Sequence, residues 1–165
     1  MKKLCLTTLI FVFLLFSFKG IQAQTTQTKL NQVELVKQWL GTWQNDAAKD
    51  TVDIWEAKPY GKAIIAAVYR VIKGVKSDSY VCNFGYDDRD DKLKGFNLFP
   101  NTDFITWIGM FTTDKLFKAD ALDSFKPEIV WFKNEIEFKT PTEMIVRGYD
   151  AKGVKTGEWT YKKVK

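Results

Sequence analysis

The sequence predicts an all-β protein, an antiparallel up-and-down meander of about 8–10 strands that closes into a barrel behind one short N-terminal helix. Three observations support this fold class. From Thr42 onward, apolar and polar residues alternate with a period of two in short segments. Residues that favour turns separate these segments at regular intervals. The links between segments are too short for parallel crossovers, so consecutive strands should pair antiparallel.

Residues 1–23 have the layout of a secretory signal peptide. Lys2 and Lys3 precede an uncharged apolar run at 4–18, and the segment ends at the small residue Ala23. The run has about 15 residues, fewer than the roughly 20 that span a bilayer, so an uncleaved anchor is the weaker alternative. The sequence therefore predicts an exported protein of the periplasm, the outer cell envelope or the extracellular space, with no stable membrane span after cleavage.

The mature chain is expected to be one domain that does not bind nucleic acid. Removing 23 of the 165 residues leaves 142, with a polar lead-in at 24–29 and a single domain at 30–165. The net charge falls from +5 to +2 with the loss of three lysines, and the basic residues are not clustered. Cys82 is the one remaining cysteine, which excludes an internal disulfide. The absence of histidine removes histidine-based catalysis, most zinc sites and His-ligated haem.

The segment 29–40 predicts the helix. Asn31 is suited to cap its N-terminus, with Glu34 as the capping-box partner, and Gly41 is suited to end it. Apolar residues recur at helical spacing at three positions: Val33, Val36 and Leu40.

Ten strands are expected after the helix. Their approximate ranges are 42–46, 51–58, 63–72, 80–86, 92–99, 104–111, 116–120, 128–138, 143–149 and 158–164. The strand at 104–111 is apolar on both faces, which predicts that it is covered on both sides. A meander with a continuous apolar face must curl to hide that face, and closure into a barrel also removes exposed edges.

A short helix, the residues Gly41-Thr42-Trp43 on the first strand and an antiparallel meander together resemble the calycin group, the lipocalins and lipocalin-like barrels. In that group the first-strand tryptophan packs at the closed end of the barrel, and an arginine of a late strand lies across it. The resemblance implies that Gly41, Trp43 and Arg147 form this structural signature. A planar guanidinium stacks on an indole in a way that an ammonium does not.

The chain is similar, within this group, to small lipocalin-like domains of unassigned function in bacterial envelopes. It is shorter than typical lipocalins and lacks their disulfides and C-terminal helix. The segment FGYDDRDDKLKGF at 84–96, a strand, an aspartate-led turn and a returning strand, has the look of such families. The strand count also resembles fatty-acid-binding proteins and nitrobindin-type barrels, although the lack of histidine argues against haem. The resemblance implies a small apolar or amphipathic ligand and no cofactor.

The ligand-binding residues are predicted from an arginine, a tyrosine and the aromatic content. Arg147 and Tyr149 share a strand face, and an Arg-x-Tyr pair near the chain end resembles the carboxylate-binding pair of fatty-acid-binding proteins. Three interpretations of Arg147 stay open: a clamp on Trp43, a ligand-binding residue, or neither. The aromatic residues could line a pocket or simply fill the core. The predicted ligand-binding set is Arg147, Tyr149, Arg70, Trp107, Tyr86 and Phe84.

No catalytic or metal-binding residue is predicted. The run Asp87 to Asp91 fails the calcium-loop pattern, because Lys92 and Leu98 occupy its sixth and twelfth positions, and it is expected to be a solvated turn. Cys82 is expected to be buried and inert, since no histidine exists to activate it. The protein is therefore expected not to be an enzyme. Two functions stay open: a ligand-binding barrel, and a structural or interaction module of the cell envelope with an unknown protein partner.

Overall fold

The computed structural model describes residues 29–165, which form a closed barrel of ten antiparallel strands. The predicted signal peptide and all but the last residue of the polar lead-in lie outside the described residues. Strands that are consecutive in the chain are neighbours in the barrel, and the first strand pairs with the tenth to close it. The strands are β1 (Gly41–Ala48), β2 (Thr51–Tyr60), β3 (Ala63–Ile72), β4 (Val75–Asp87), β5 (Lys92–Leu98), β6 (Phe104–Phe111), β7 (Leu116–Leu122), β8 (Val130–Thr140), β9 (Glu143–Asp150) and β10 (Lys155–Lys163).

The predicted all-β meander is confirmed, and the barrel is compatible with a lipocalin-like fold. The main difference lies in β4, which begins at Val75, whereas 73–79 was expected to be a link. Its polar first half pairs in register with the end of β3, for example Ser77 with Arg70. A strand made of polar residues has no apolar alternation, so the sequence pattern could not reveal it.

The N-terminal helix is shorter than predicted. An α-helix, α1 (Gln32–Leu35), continues as a 3₁₀ turn over Val36–Trp39. The Asn31 cap is confirmed, because its Oδ1 accepts a hydrogen bond from the Glu34 amide at 3.2 Å. The Glu34 carboxylate binds Lys37 instead of completing a capping box. No helix among residues 29–165 is long and apolar enough to cross a membrane.

The helical segment closes one end of the barrel through a buried stripe that differs from the predicted one. Gln32, Val36 and Trp39 are buried. The Gln32 side-chain amide extends the hydrogen bonding of β6: its Nε2 donates to the Phe111 carbonyl at 3.0 Å, and its Oε1 accepts from the Phe111 amide at 2.7 Å. This polar residue inside an apolar stripe therefore has its hydrogen bonds satisfied, and it fixes the helix against the barrel.

The two ends of the barrel differ. The helix end carries α1, the links that follow β2, β4, β6 and β8, and the C-terminus. The opposite end, here called the loop end, carries the links at 49–50, 73–74, 99–103, 123–129 and 151–154. Aromatic rings fill the helix end around Trp39, whose ring centre lies 4.7 Å from that of Phe117 and 5.4 Å from that of Phe84.

Gly41 has a role beyond ending the helix. Its φ is +107°, a left-handed backbone conformation that favours glycine. A Cβ at this position would also collide with the Lys165 carbonyl and the Lys163 side chain. The neighbouring Thr42 amide donates to that Lys165 carbonyl at 2.8 Å. Glycine therefore allows the C-terminal chain to close on β1.

Candidate functional site

The barrel interior contains a cavity of about 90 Å³. Its wall is mainly aromatic and aliphatic, with Trp39, Phe84, Phe117 and Met144 among the lining side chains. Pockets for drug-sized ligands are usually about 300–1,000 Å³, and a dry cavity of about 150 Å³ can hold benzene. The cavity is smaller than both, so as it stands it would hold a few waters, and an organic ligand would require the wall to move.

Three tryptophans of the cavity wall have buried indole donors without a partner in the described part of the chain. The indole Nε1 atoms of Trp39, Trp55 and Trp107 are buried and have no hydrogen-bond partner among the described residues. All three tryptophans line the cavity. A buried donor without a partner costs about 1–3 kcal/mol, so three of them in one wall need a physical explanation. A molecule with acceptor atoms inside the cavity would provide one.

Polar side chains lie on the loop-end side of the cavity. This group, here called the polar edge, consists of the ion pair of Arg70 and Asp53 and the tyrosines Tyr161 and Tyr80. The Arg70 guanidinium binds both carboxylate oxygens of Asp53, Nε to Oδ1 at 2.6 Å and Nη2 to Oδ2 at 3.0 Å. Burial, and then the Asp53 charge, raise the pKa of Tyr161 to about 12. Burial also raises the pKa of Tyr80. Both phenols line the cavity and stay protonated at neutral pH, so each can donate a hydrogen bond to a ligand.

The seam between β1 and β10 is paired only in its helix-end half. Among the described residues, the register pairs across it are Trp43 with Lys163 and Gln44 with Lys162. The following residue, Asn45, is buried, and its Nδ2 has no partner there. Tyr161, which lines the cavity, directly precedes Lys162, the first residue of β10 that pairs with β1. An unpaired stretch of the seam thus begins beside the cavity, where the wall has the fewest backbone bonds to break.

Four members of the predicted ligand-binding set lie on the inner side of the barrel, and two of them line the cavity. Phe84 and Trp107 are cavity-wall residues, and the Trp107 ring packs edge-on against Phe132 at 5.2 Å. Arg70 does not line the cavity but belongs to the polar edge, where it binds Asp53. Tyr86 packs at the helix end instead, where its hydroxyl donates to Asp91 at 2.7 Å.

Arg147 and Tyr149 lie on the outer face of the barrel. Strand residues alternate in direction, and Met144 and Val146 of the same strand line the cavity. Arg147 binds Glu137 and Glu158 at 2.8 and 2.9 Å, while the Tyr149 hydroxyl donates to the Glu135 carboxylate. Hydrogen bonds from Lys139 and then Arg147 lower the pKa of Glu137. Both residues therefore lie outside the cavity. Their predicted role in ligand binding stays a prediction.

The expected arginine clamp on Trp43 is corrected by the structure. The cation over the Trp43 ring is Lys163, whose Nζ lies 5.0 Å from the ring centre. Lys163 is the cross-strand partner of Trp43, whereas Arg147 is occupied by two carboxylates on the outer face. Trp43 itself is fully buried, and its Nε1 donates to the Trp39 carbonyl at 2.9 Å. The barrel-end tryptophan is therefore fixed by a hydrogen bond to the helical segment.

Burial and ion pairing describe the surroundings of Cys82 and of the aspartate run. Cys82 is buried, and burial raises the pKa of its thiol to about 12. Asp87 binds Arg89 at 2.6 Å and Lys94 at 2.9 Å, and these hydrogen bonds lower the pKa of its carboxyl group. Within residues 29–165, no group of three or more potential metal ligands lies together.

Several cavity residues were not predicted. Trp39, Trp55 and Tyr161 fall on the inner faces of their elements, but in the sequence they look like ordinary core residues. Asn134 did carry a signal, because it interrupts the apolar face of β8. It lines the cavity together with Asn97. A polar residue at an inward position is thus the feature that could have indicated a cavity rather than a packed core.

A comparison with protein-family models finds no matching family, and a comparison with curated protein sequences finds no relative. Inferences about function therefore depend on the cavity, its polar edge and the surface of the barrel.

Replacing Trp43 by phenylalanine should destabilise the protein much more than replacing Arg147 by glutamine. The smaller ring leaves a gap and removes the donor to the Trp39 carbonyl, so W43F should lower the free energy of unfolding by about 2 kcal/mol or more. R147Q breaks partly solvated outer-face pairs and should cost no more than about 1 kcal/mol. Urea unfolding of both variants measures the difference. Equal losses in the free energy of unfolding would show that Arg147 supports this end of the barrel as much as Trp43 does.

Proposed function

We propose that this protein is a lipocalin-like barrel that binds a small amphipathic molecule in its interior. The observation that carries the proposal is the cavity lined by Trp39, Trp55 and Trp107, whose buried indole donors have no partner among the described residues. Aromatic and aliphatic side chains around them suit an apolar ligand body. A hydrogen-bond acceptor on the ligand would satisfy one or more of the indoles and recover part of their desolvation cost.

The polar edge favours a neutral ligand over a free carboxylic acid. Asp53 and Arg70 already neutralise each other in a bidentate pair, so a ligand carboxylate could take Arg70 as its counter-ion only by displacing Asp53. Tyr80 and Tyr161 instead offer hydroxyl donors that suit a carbonyl, ether or hydroxyl oxygen. The volume of about 90 Å³ favours a compact molecule over a long acyl chain.

A ligand panel tests this proposal. The protein is extracted to remove bound lipid and titrated with small neutral carbonyl compounds, aromatic alcohols and fatty acids, while tryptophan fluorescence and Tm are followed. A true ligand at about 100 times its Kd should stabilise the protein by about 2.7 kcal/mol, which raises Tm by several degrees. The fluorescence should change with it, because three indoles line the cavity.

A matched pair of alanine substitutions controls the ligand panel. Ala119 lines the cavity, and A119L should fill it and abolish the response. Ala67 is exposed on the outer side of β3, and A67L should bind like the parent protein. Both variants are first checked for cooperative unfolding. A panel with no response, or equal responses of the two variants, would contradict a cavity-bound ligand.

The competing function is a structural or interaction module without a small ligand, and an exposed outer face favours it. Val81, Phe96, Leu98 and Phe104 are each more than two fifths exposed and project from the outer side of β4, β5 and β6. The expectation that β6 is covered on both sides is therefore wrong for Phe104. A mainly apolar patch can pair with its own copy about a two-fold axis, so a second copy of this chain is the occupant we assign to it.

Sedimentation analysis tests this competing function. If the patch pairs with itself, the parent protein should form dimers as its concentration rises, and F96S/L98S should remain monomeric. I72S changes an apolar residue of similar exposure near the loop end and should leave the dimer intact. A parent protein that stays monomeric at all concentrations would exclude self-pairing through this face.

We also propose that the protein acts outside the cytoplasm, with residues 1–23 removed on export. The basic start, the short apolar run and the small residue Ala23 support this proposal. N-terminal sequencing of the protein from fractionated cells should find Gln24 or a close neighbour as the first residue. Recovery of the intact chain from the cytoplasmic fraction would contradict it.

A further inference from the structure

The barrel is closed at the helix end and open at the loop end. Inward-facing aromatic side chains near the helix end, such as those of Trp43, Phe111 and Phe138, are buried. Near the loop end, inward-facing side chains remain accessible: Trp159 is 42% exposed, and the side chain of Arg70 is 48% exposed. The inner wall therefore continues beyond the cavity into a mouth that is open to solvent.

The indole of Trp159 faces into this mouth. Its register partner on β9 is Val146, which lines the cavity, and residues directly paired across two strands project to the same side. The six-membered ring of the indole lies over Gly157, where a Cβ would come within 2.6 Å of Cη2 and 2.7 Å of Cζ2. A Cβ at Gly148, the register partner of Gly157, would lie 3.3 Å from Cζ3 of the same ring. The ring therefore rests against two glycines on adjacent strands.

This pair of glycines allows the indole to lie against the wall. Glycine in the interior of a strand weakens the strand, and it often marks a bulge or a place where a ligand approaches closely. A bulge follows Lys155 and gives Gly157 a local reason, but Gly148 pairs in register on both sides. A solvent-accessible aromatic ring is a surface on which another planar ring can stack. We call Trp159 with its two supporting glycines the indole plate.

The polar edge begins next to the indole plate. Tyr161 is the next inward position of β10, about 7 Å along the strand from Trp159. Across the unpaired part of the seam, Asn45 is the next inward position of β1 after Trp43, and it pairs in register with Asp53. Asn45 is only 8% exposed, and its Nδ2 has no hydrogen-bond partner among residues 29–165. An acceptor atom on a molecule in the mouth would satisfy this buried donor.

The surroundings of the plate narrow the class of ligand. Val146 and Ile136 form an apolar wall beside it, where the hydroxyl groups of a sugar ring would lose water without gaining partners. The bidentate pair of Arg70 and Asp53 is already neutral, which does not favour a charged molecule. A neutral, flat and mainly apolar ring with an acceptor at its edge matches both features.

We propose that the mouth binds a planar aromatic ring that carries a carbonyl oxygen. The ring would stack on the indole plate, and the oxygen would accept the hydrogen bond from Asn45 Nδ2. The ring would lie in the open mouth, so the volume of the cavity does not limit its size. This inference rests on the proposed binding function and adds the class of ligand to it.

Equilibrium dialysis with two planar probes tests the proposal. 2-Quinolinone carries a carbonyl oxygen at the edge of its fused rings, and naphthalene has the same fused rings without that oxygen. W159L should weaken the binding of both probes about tenfold, because ring stacking is lost, whereas W159F should bind nearly like the parent protein. W131L replaces a tryptophan of similar exposure, 46%, on the outer side of β8 and should bind both probes like the parent.

The contact with Asn45 is tested in the same assay. N45A should weaken the binding of 2-quinolinone about fivefold and leave that of naphthalene unchanged, because one hydrogen bond is lost. Cooperative unfolding of every variant is checked first.

Three results would overturn the proposal: no binding of 2-quinolinone to the parent protein, equal binding by W159L and W131L, or an equal effect of N45A on both probes. If another ligand of the panel binds the parent but not A119L, and W159L binds it normally, the inference about the plate fails while the proposed function stands.

Discussion

The rest of the barrel depends on the hydrogen bond from the Trp43 indole to the Trp39 carbonyl. This bond holds the helical segment at the junction of β1 and β10. Trp39 in turn sits at the centre of an aromatic cluster that includes Phe117 and Phe84. Gly41 lets the C-terminal chain close over this junction. One end of the barrel is therefore sealed by a hydrogen-bonded and well-packed unit.

The middle of the barrel is packed differently from its helix end, because polar groups without hydrogen-bond partners in the described chain lie there among the apolar side chains. There the side chains include Asn97, Asn134 and three indoles whose donors lack partners among the described residues. A core selected for stability alone would fill this space with aliphatic groups, since unpaired buried donors cost free energy. The retained polar groups and the partly paired seam beside Tyr161 are the features that support the proposal of an interior binding site.

The outer surface also separates into different regions. Across β7 to β10, charged residues pair in a ladder that includes Glu137, Arg147 and Glu158. Across β4 to β6 the outer face is mainly apolar and exposed, and the loop end carries exposed apolar side chains among charges of both signs. The ladder gives the barrel a solvated wall that does not favour association. Contacts with other proteins are therefore expected on the apolar outer face of β4 to β6.

The sequence by itself determined the elements and their closure. Alternation with a period of two and the turn residues are local properties, so most strands and the Asn31 cap could be predicted from neighbouring residues. The same patterns place Phe84 and Trp107 on apolar faces. They missed the polar half of β4, because its extended structure is imposed by pairing with β3 rather than by its own apolar pattern.

Only the tertiary structure decided which groups meet. Arg147 and Tyr149 share a face in any strand, but both faces of β9 carry apolar residues, and the sequence could not show which face is inside. The position of Lys163 over Trp43 depends on the register between β1 and β10, two strands at opposite ends of the described chain. The cavity exists because side chains from many strands fail to fill the centre. Such a shortfall in packing is a property of the whole barrel and has no local sequence signal.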